Sequence, residues 1–234
     1  MEIVLEIAEK FGFVRVSNKL SKPLVFHCVP GAGKSSLIRE LLNASDGFRA
    51  YTFGACDRVN LSGKYIRRAP WSDSDILGKL LLVDEYTEGT FDLSIAFAVF
   101  GDPLQSTRDN FCTPHFTCHL SRRFGQKTAS LLRLLGYQIE STKEDVVLIE
   151  DIFKADPIGE IVCYEKEIYN LLCAHCVEFK TPDEIRGATF KNVTFITASS
   201  EPVDSKAAFI CLTRHTEKLQ ILCPDASFAP SQLH

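Results

Sequence analysis

Val29-Pro30-Gly31-Ala32-Gly33-Lys34-Ser35 has the residue types of a phosphate cradle. Glycines at 31 and 33 let successive backbone N–H groups turn inward with no Cβ in the way. A helix opening at Ser35 would add the N–H donors and the favourable dipole of its N-terminus. Lys34 would then reach the β- and γ-phosphates of a nucleoside triphosphate, and the Ser35 hydroxyl would ligate Mg²⁺. Pro30, Gly31, Ala32, Gly33, Lys34, Ser35 and Ser36 are the expected nucleotide contacts. The long form of this motif has glycine where Cys28 stands, so the match is to the shorter G-x-G-K-S core. On its own that core is also compatible with a glycine turn before a helix.

Leu80-Leu-Leu-Val-Asp84-Glu85 strengthens the nucleotide reading. It is an apolar strand ending in two acids, and the carboxyl ends of such strands are where α/β sheets hold ligands. Asp84 would hold Mg²⁺ through its water shell, and Glu85 would orient or deprotonate the attacking water. Gly101-Asp102-Pro103-Leu104-Gln105 ends another apolar run. Gln105 carries a donor and an acceptor on one neutral side chain, which suits sensing a γ-phosphate while holding a water. In isolation Gly-Asp-Pro is a common turn.

Taken in order, Gly31–Ser35, Asp84-Glu85 and Gly101–Gln105 resemble the first three signature motifs of viral superfamily-one RNA helicases. Leu120-Ser-Arg-Arg-Phe-Gly125 resembles the fourth. Thr181-Pro-Asp-Glu-Ile-Arg-Gly187, with Phe190 and Val193, resembles the fifth, although that motif often has glutamine where Arg186 stands. Ile210-Cys-Leu-Thr-Arg-His215 resembles the sixth. Within that family the chain is similar to the short members carried in the triple gene block of potexvirus- and carlavirus-like plant viruses.

The resemblance implies an α/β fold of two tandem RecA-like P-loop NTPase domains with mostly parallel sheets, residues 1–112 and 113–234, and the nucleotide between them. It assigns Arg123 and Arg214 as arginine fingers for the γ-phosphate, with Arg122 as the rival of Arg123, and Gly187 as a further nucleotide contact. A guanidinium fork stabilises the charge that phosphoryl transfer spreads over equatorial oxygens. No glutamine precedes Gln105 to read adenine, so GTP and other nucleotides are expected to serve as well as ATP. The implied function is RNA-stimulated NTP hydrolysis and helicase action in cell-to-cell movement of a plant virus, with suppression of host RNA silencing. The implied partners are single-stranded viral RNA, further copies of the chain, viral coat protein, the other triple gene block movement proteins and host silencing factors. The implied place is the host cytoplasm, with plasmodesmata or inclusion bodies. A non-enzymatic RNA-binding movement factor with a vestigial site is the alternative, and a small P-loop kinase is a third reading.

These residues need elements to hold them. Apolar positions at Ile3, Val4, Ile7, Ala8 and Phe11 have a helical period over 2–13. Short continuous apolar runs at 23–29, 50–53, 79–83 and 95–100 predict strands of a parallel sheet covered on both faces, with a helix over 35–43. A polar, proline-containing stretch over 102–114 marks the expected domain junction. Beyond it, strands are expected at 116–120, 146–150, 161–164, 193–197 and 219–223, and helices at 124–135 and 165–176. Residues 206–213 fit helix or strand, and 224–234 read as a frayed tail.

Bulk properties narrow the rest. A net charge of −4 argues against a surface coated with cations, so nucleic acid would need a local patch. Lys64, Arg67 and Arg68 near Tyr65 and Trp71 could be one, with aromatics for base stacking; they also read as a solvated loop over packed aromatics. No window is long and apolar enough to span a bilayer, so no direct membrane insertion is expected. The acidic N-terminus lacks a secretory start, and residence in the cytosol is expected. The nine cysteines then read as reduced thiols. Cys112–His119 and Cys173-Ala-His175-Cys176 carry zinc-ligand types; a redox pair at 173 and 176, or a helix with a buried thiol face, are the other readings.

Overall fold

The computed structural model describes residues 1–106, 108 and 111–228. The chain divides into two compact units, Met1–His119 and Leu120–His234.

The first unit is built on a seven-stranded sheet. Its elements are α1 (Glu2–Lys10), β1 (Val14–Arg15), β2 (Leu24–Cys28), α2 (Lys34–Ala44), β3 (Phe48–Thr52), β4 (Arg67–Arg68), α3 (Asp73–Ile76), β5 (Leu80–Asp84), β6 (Ala96–Gly101) and β7 (Phe116–Cys118). The strand order is β1-β7-β2-β6-β5-β3-β4. All pairs are parallel except β1 with β7. The central strands are apolar on both faces because both faces are covered. On one face Phe26 stacks between its register partners Phe100 and Phe116, at centroid distances of 4.7 and 4.6 Å. On the other, Val25, Tyr51, Leu81, Val83 and Val99 form a core capped by Trp71, Phe91 and Phe53.

Residues 113–119 were expected in the second domain, yet Phe116–Cys118 pairs with β2 in the first sheet and the division falls after His119. The physical reason is non-local: Phe116 completes the aromatic ladder begun by Phe26, a contact with no signature in the local sequence.

The second unit comprises β8 (Leu120–Ser121), α4 (Gln126–Leu134), β9 (Glu140–Ser141), β10 (Val146–Asp151), β11 (Glu160–Val162), α5 (Lys166–Ala174), β12 (Phe190–Ile196), α6 (Ser205–Leu212) and β13 (His215–Cys223). A four-stranded parallel sheet runs β10-β13-β12-β11, and β8 pairs with β9 apart from it. The open segment at 206–213 is helical. Asp204 caps it, its carboxylate accepting from Lys206 N and Ala207 N, and Ala208–Leu212 are buried on every side. The expected tail falls partly outside the described residues. No helix among the described residues is long and apolar enough to cross a membrane.

Candidate functional site

β2 delivers the chain to the glycine loop and α2 carries it away. Gly31 and Gly33 have φ of 76° and 93°, the left-handed region that glycine enters without penalty. Gly33 is the N-cap of α2 and has no side chain to cap it. The first four N–H groups of a helix have no intrahelical acceptor, and the first bond within α2 runs from Leu37 N to Gly33 O. The donors of Gly33, Lys34, Ser35 and Ser36 therefore gather at one point with the positive end of the helix dipole. Ser36 lies on the α2 face shared with Arg39, Glu40 and Asn43, lining a groove against α1. Its first-turn N–H is therefore the group it can offer a phosphate.

Lys34 is brought directly to the two acids. Its Nζ lies 2.6 Å from Glu85 Oε1 and 3.3 Å from Asp84 Oδ1. Burial alone would lower the Lys34 pKa, but Asp84 and Glu85 more than reverse this, holding the ammonium well above its ordinary value. Asp84 sits at the end of β5, beside the end of β3, where Thr52 Oγ1 donates to its Oδ2 at 3.5 Å. Burial raises the Asp84 carboxyl above the usual carboxylate range, with Lys34 opposing and Glu85 adding. Its Oδ1 is buried, and the contact it has is the ion pair with Lys34 Nζ at 3.3 Å. A buried carboxylate oxygen held by an ion pair is the donor type a hard divalent cation takes. Asp84 thus has the chemistry to hold Mg²⁺, with the Ser35 hydroxyl one residue along α2 from Lys34.

Glu85 follows with φ 49° and ψ 43°, a left-handed conformation uncommon for a residue with a Cβ. Gly54 makes room for it: a Cβ at position 54 would lie 3.0 Å from Glu85 Cγ. Gln105 is anchored through its amide nitrogen, which donates to Asp102 Oδ2, while Asp102 Oδ1 accepts from Leu104 N at 3.1 Å. Burial pushes the Asp102 carboxyl up to about 6, against the pull of the Gln105 hydrogen bond and Lys34. Cys28, at the position of the missing glycine, is buried with its Sγ 4.0 Å from Gly101 O, and burial keeps it a thiol.

In the second unit Arg123 and Arg214 converge on the end of α6. Arg123 Nη1 donates to Thr213 O at 3.1 Å, and Arg214 Nε donates to Ile210 O at 3.1 Å. Carbonyls at the negative end of a helix are natural partners for guanidinium groups. Arg214 is buried and Arg123 half-buried, whereas Arg122 is exposed. Gly187 closes the turn that starts at Thr181, with φ 79°. Glu184 orders that turn by accepting from Thr181 N and Oγ1, both at 2.8 Å.

Other sequence candidates resolve differently. Trp71 packs 5.4 Å from both Tyr51 and Phe91, Arg67 lies over the Tyr65 ring at 4.6 Å, and Lys64 pairs with Asp46 at 2.8 Å. Arg67 and Tyr65 thus hold each other, Lys64 and Trp71 are held by residues outside the set, and Arg68 is exposed. The thiol face expected on α5 is absent: Ile168 and Leu172 form its buried stripe, while Cys173 and Cys176 are exposed. Residue 173 stands about 100° round the helix from 172, and Cys176 lies past the helix end. His115 is spent on Val25 N and Ser21. No three His, Cys, Asp or Glu side chains among the described residues could together hold a metal ion.

Sequence reasoning missed Thr52, His27 and Tyr86 near the acids, and Asp145 and His215 in the second unit. His27 Nε2 lies 2.7 Å from Tyr86 Oη, and burial lowers the imidazole to about 4. Asp145 accepts from Gly125 N and Lys127 N at 2.9 Å and lies 3.3 Å from His215 Nε2. Only spacing that pairs distant segments could have signalled these, and a single sequence carries none.

The model of the viral superfamily 1 RNA helicase core domain matches residues 24–223. The chain belongs to this family. Among its relatives, the movement and silencing protein TGBp1 of Poplar mosaic virus is 46% identical over 99% of this chain and 100% of the relative. The TGBp1 of Chrysanthemum virus B is 46% identical over 97% of this chain and 99% of its own length. That of White clover mosaic virus is 35% identical over 97% and 98%. Among solved structures, the PRRSV helicase matches 98% of this chain and 53% of its own with a TM-score of 0.53 at 16% identity. Arterivirus nonstructural protein 10 (helicase), in complex with DNA, matches 94% of this chain and 57% of its own with a TM-score of 0.51 at 16% identity. The chain thus spans about half the length of these helicases. At such identity the likeness is one of fold: α/β, RecA-like, with mostly parallel sheets.

Proposed function

We propose that the chain hydrolyses nucleoside triphosphates with Mg²⁺, under stimulation by single-stranded RNA, as a small RNA helicase. The observation that carries this is Lys34 Nζ held between Asp84 and Glu85 at the foot of α2, whose N-terminal donors have no side-chain cap. Backbone N–H groups from Gly31 to Ser36 would bind the phosphates of ATP, GTP or another nucleotide. Bound by Asp84 and Ser35, Mg²⁺ would neutralise charge on the β- and γ-phosphate oxygens. Lys34 cannot serve Glu85 and a γ-phosphate fully at once. Nucleotide arrival would draw the ammonium off Glu85 and free that carboxylate to take a proton from water. Gln105, anchored on Asp102, would position that water. Arg123 and Arg214 would stabilise the charge that develops on the transferred group, and Gly187 would contact the nucleotide.

The names of the relatives support a role in virus movement from cell to cell and in suppressing host RNA silencing. The proposed partners are therefore viral RNA, further copies of the chain, coat protein, the other triple gene block movement proteins and host silencing factors. The proposed place is the host cytoplasm, reaching plasmodesmata or inclusion bodies. The test is phosphate release from each of the four nucleotides, with and without single-stranded RNA, for the wild type and Lys34→Ala. Wild-type hydrolysis that RNA raises and Lys34→Ala abolishes is the expected result. A wild type that binds RNA and hydrolyses nothing would leave only a non-enzymatic RNA-binding role.

A further inference from the structure

Glu85 is placed by its neighbours, because a residue with a Cβ stays in the left-handed region only where its surroundings hold it. The next residue, Tyr86, is buried. Its ring lies so close to Gly101 that a Cβ there would meet Tyr86 Cε1 at 2.8 Å. Its hydroxyl is held at both ends. Cys112 N–H donates to the phenol oxygen at 3.3 Å, and the same hydroxyl shares a hydrogen bond with His27 Nε2, 2.7 Å away, whose direction the imidazole tautomer sets. His27 lies one residue before the end of β2, the strand that runs into the glycine loop. The same turn is tied again from the segment beyond Gln105, where Arg108 donates to Gly89 O and, at 3.1 Å, to Thr90 Oγ1. Glu88 N closes the turn on Glu85 O at 2.9 Å.

We propose that Tyr86 and His27 are positioning residues: their hydrogen bond fastens the turn that aims Glu85 to the strand that carries the phosphate loop. Acid and phosphate loop come from strands not adjacent in the sheet, since β6 lies between β2 and β5. The Tyr86–His27 bond is a direct side-chain link across that gap. It sets the distance between the Glu85 carboxylate and the bound phosphate without touching either. The inference rests on Glu85 acting as the base for NTP hydrolysis.

Tyr86→Phe keeps the ring and removes the link. The expected result is a roughly 10-fold or larger fall in kcat, with affinity for a non-hydrolysable nucleotide analogue and the melting temperature both near wild type. His27→Leu should match it, and His27→Gln, whose amide can donate or accept, should recover most of the loss. In a Glu85→Gln background the same Tyr86→Phe change should leave the residual single-turnover rate unaltered to within about twofold, because the group being aimed is gone. Hydrolysis by Tyr86→Phe at the wild-type kcat overturns the inference and leaves the NTPase reading standing. Equal losses in the wild-type and Glu85→Gln backgrounds overturn it as well, by showing a merely structural role. A wild type that does not hydrolyse at all overturns both.

Discussion

Helices α2 and α4 each start from a glycine N-cap, yet their N-termini are furnished in opposite ways. At α4 every first-turn donor is used by the protein. Asp145 accepts from Gly125 N and Lys127 N at 2.9 Å and from Thr128 N at 3.3 Å, while Gln126 N donates to Lys143 O at 2.9 Å. At α2 no side chain caps the start, and the nearby acids face Lys34 instead. The carboxyls record the difference. Burial would raise Asp145, but hydrogen bonds from His215, Thr128 and the helix start pull it down to about 2. Burial dominates at Asp84 and Asp102, and both are raised. A carboxylate that completes a helix start stabilises the fold. Asp84 and Asp102 are buried with fewer donors than Asp145, and the folded chain bears the cost of burying them.

Breaking α2 should cost activity. Lys34→Ala is expected to lower kcat by roughly 10²–10³-fold, with an unchanged circular dichroism spectrum, since Asp84 can take up a proton when its ammonium partner goes. Breaking α4 should cost stability. Asp145→Ala strips three helix donors and the acidic partner of buried His215, for a loss of about 3 kcal/mol in a denaturant titration. Nucleotide-analogue binding should persist below the melt. Gly125→Ala should act alike, because its Cβ would lie 2.5 Å from Asp145 N.

Acid separates the two regions next. Asp145 is depressed, so its contribution is present above the ordinary aspartate value near 3.8 and is lost as pH falls toward about 2. Asp145→Asn should remove that part of the acid-unfolding curve. Asp102, at about 6, has the opposite sign: ionised, it costs stability above that pH, and protonation below it relieves the cost. His27, lowered to about 4, works against the raised carboxyls between its ordinary 6.5 and that value, so His27→Gln should expose the shared trend of Asp102 and Asp84. The smallest effect expected is at Gly54. Alanine there presses on Glu85 Cγ and should lower kcat by a few-fold, about 1 kcal/mol in the barrier, without moving the melting temperature. An equal loss of melting temperature would show that position 54 serves packing instead.

The local grammar of α2 was legible in the chain. Glycines at 31 and 33, lysine at 34 and an apolar run ending in Asp84 and Glu85 each have meaning within a few residues, because strand, turn and helix start are short-range events. The same holds for β2, β5 and β6, whereas the pattern over 206–213 fits helix or strand and the Asp204 cap belongs to the helix. The edge strands β1 and β4, two residues each, were not legible: pairing alone defines them. The thiols of α5 misled because composition does not say which side of a helix is covered.

What the sequence determined by itself was therefore the family, the α/β order of elements and the glycine turn that opens α2. Only the tertiary structure decided that residues 113–119 belong with the first sheet, that Asp145 closes α4 from twenty residues downstream and that His27 meets Tyr86 across β6. The physical reason is common to all three. Each is a contact between distant segments brought together by sheet order and burial, and no periodicity or spacing along the chain encodes it.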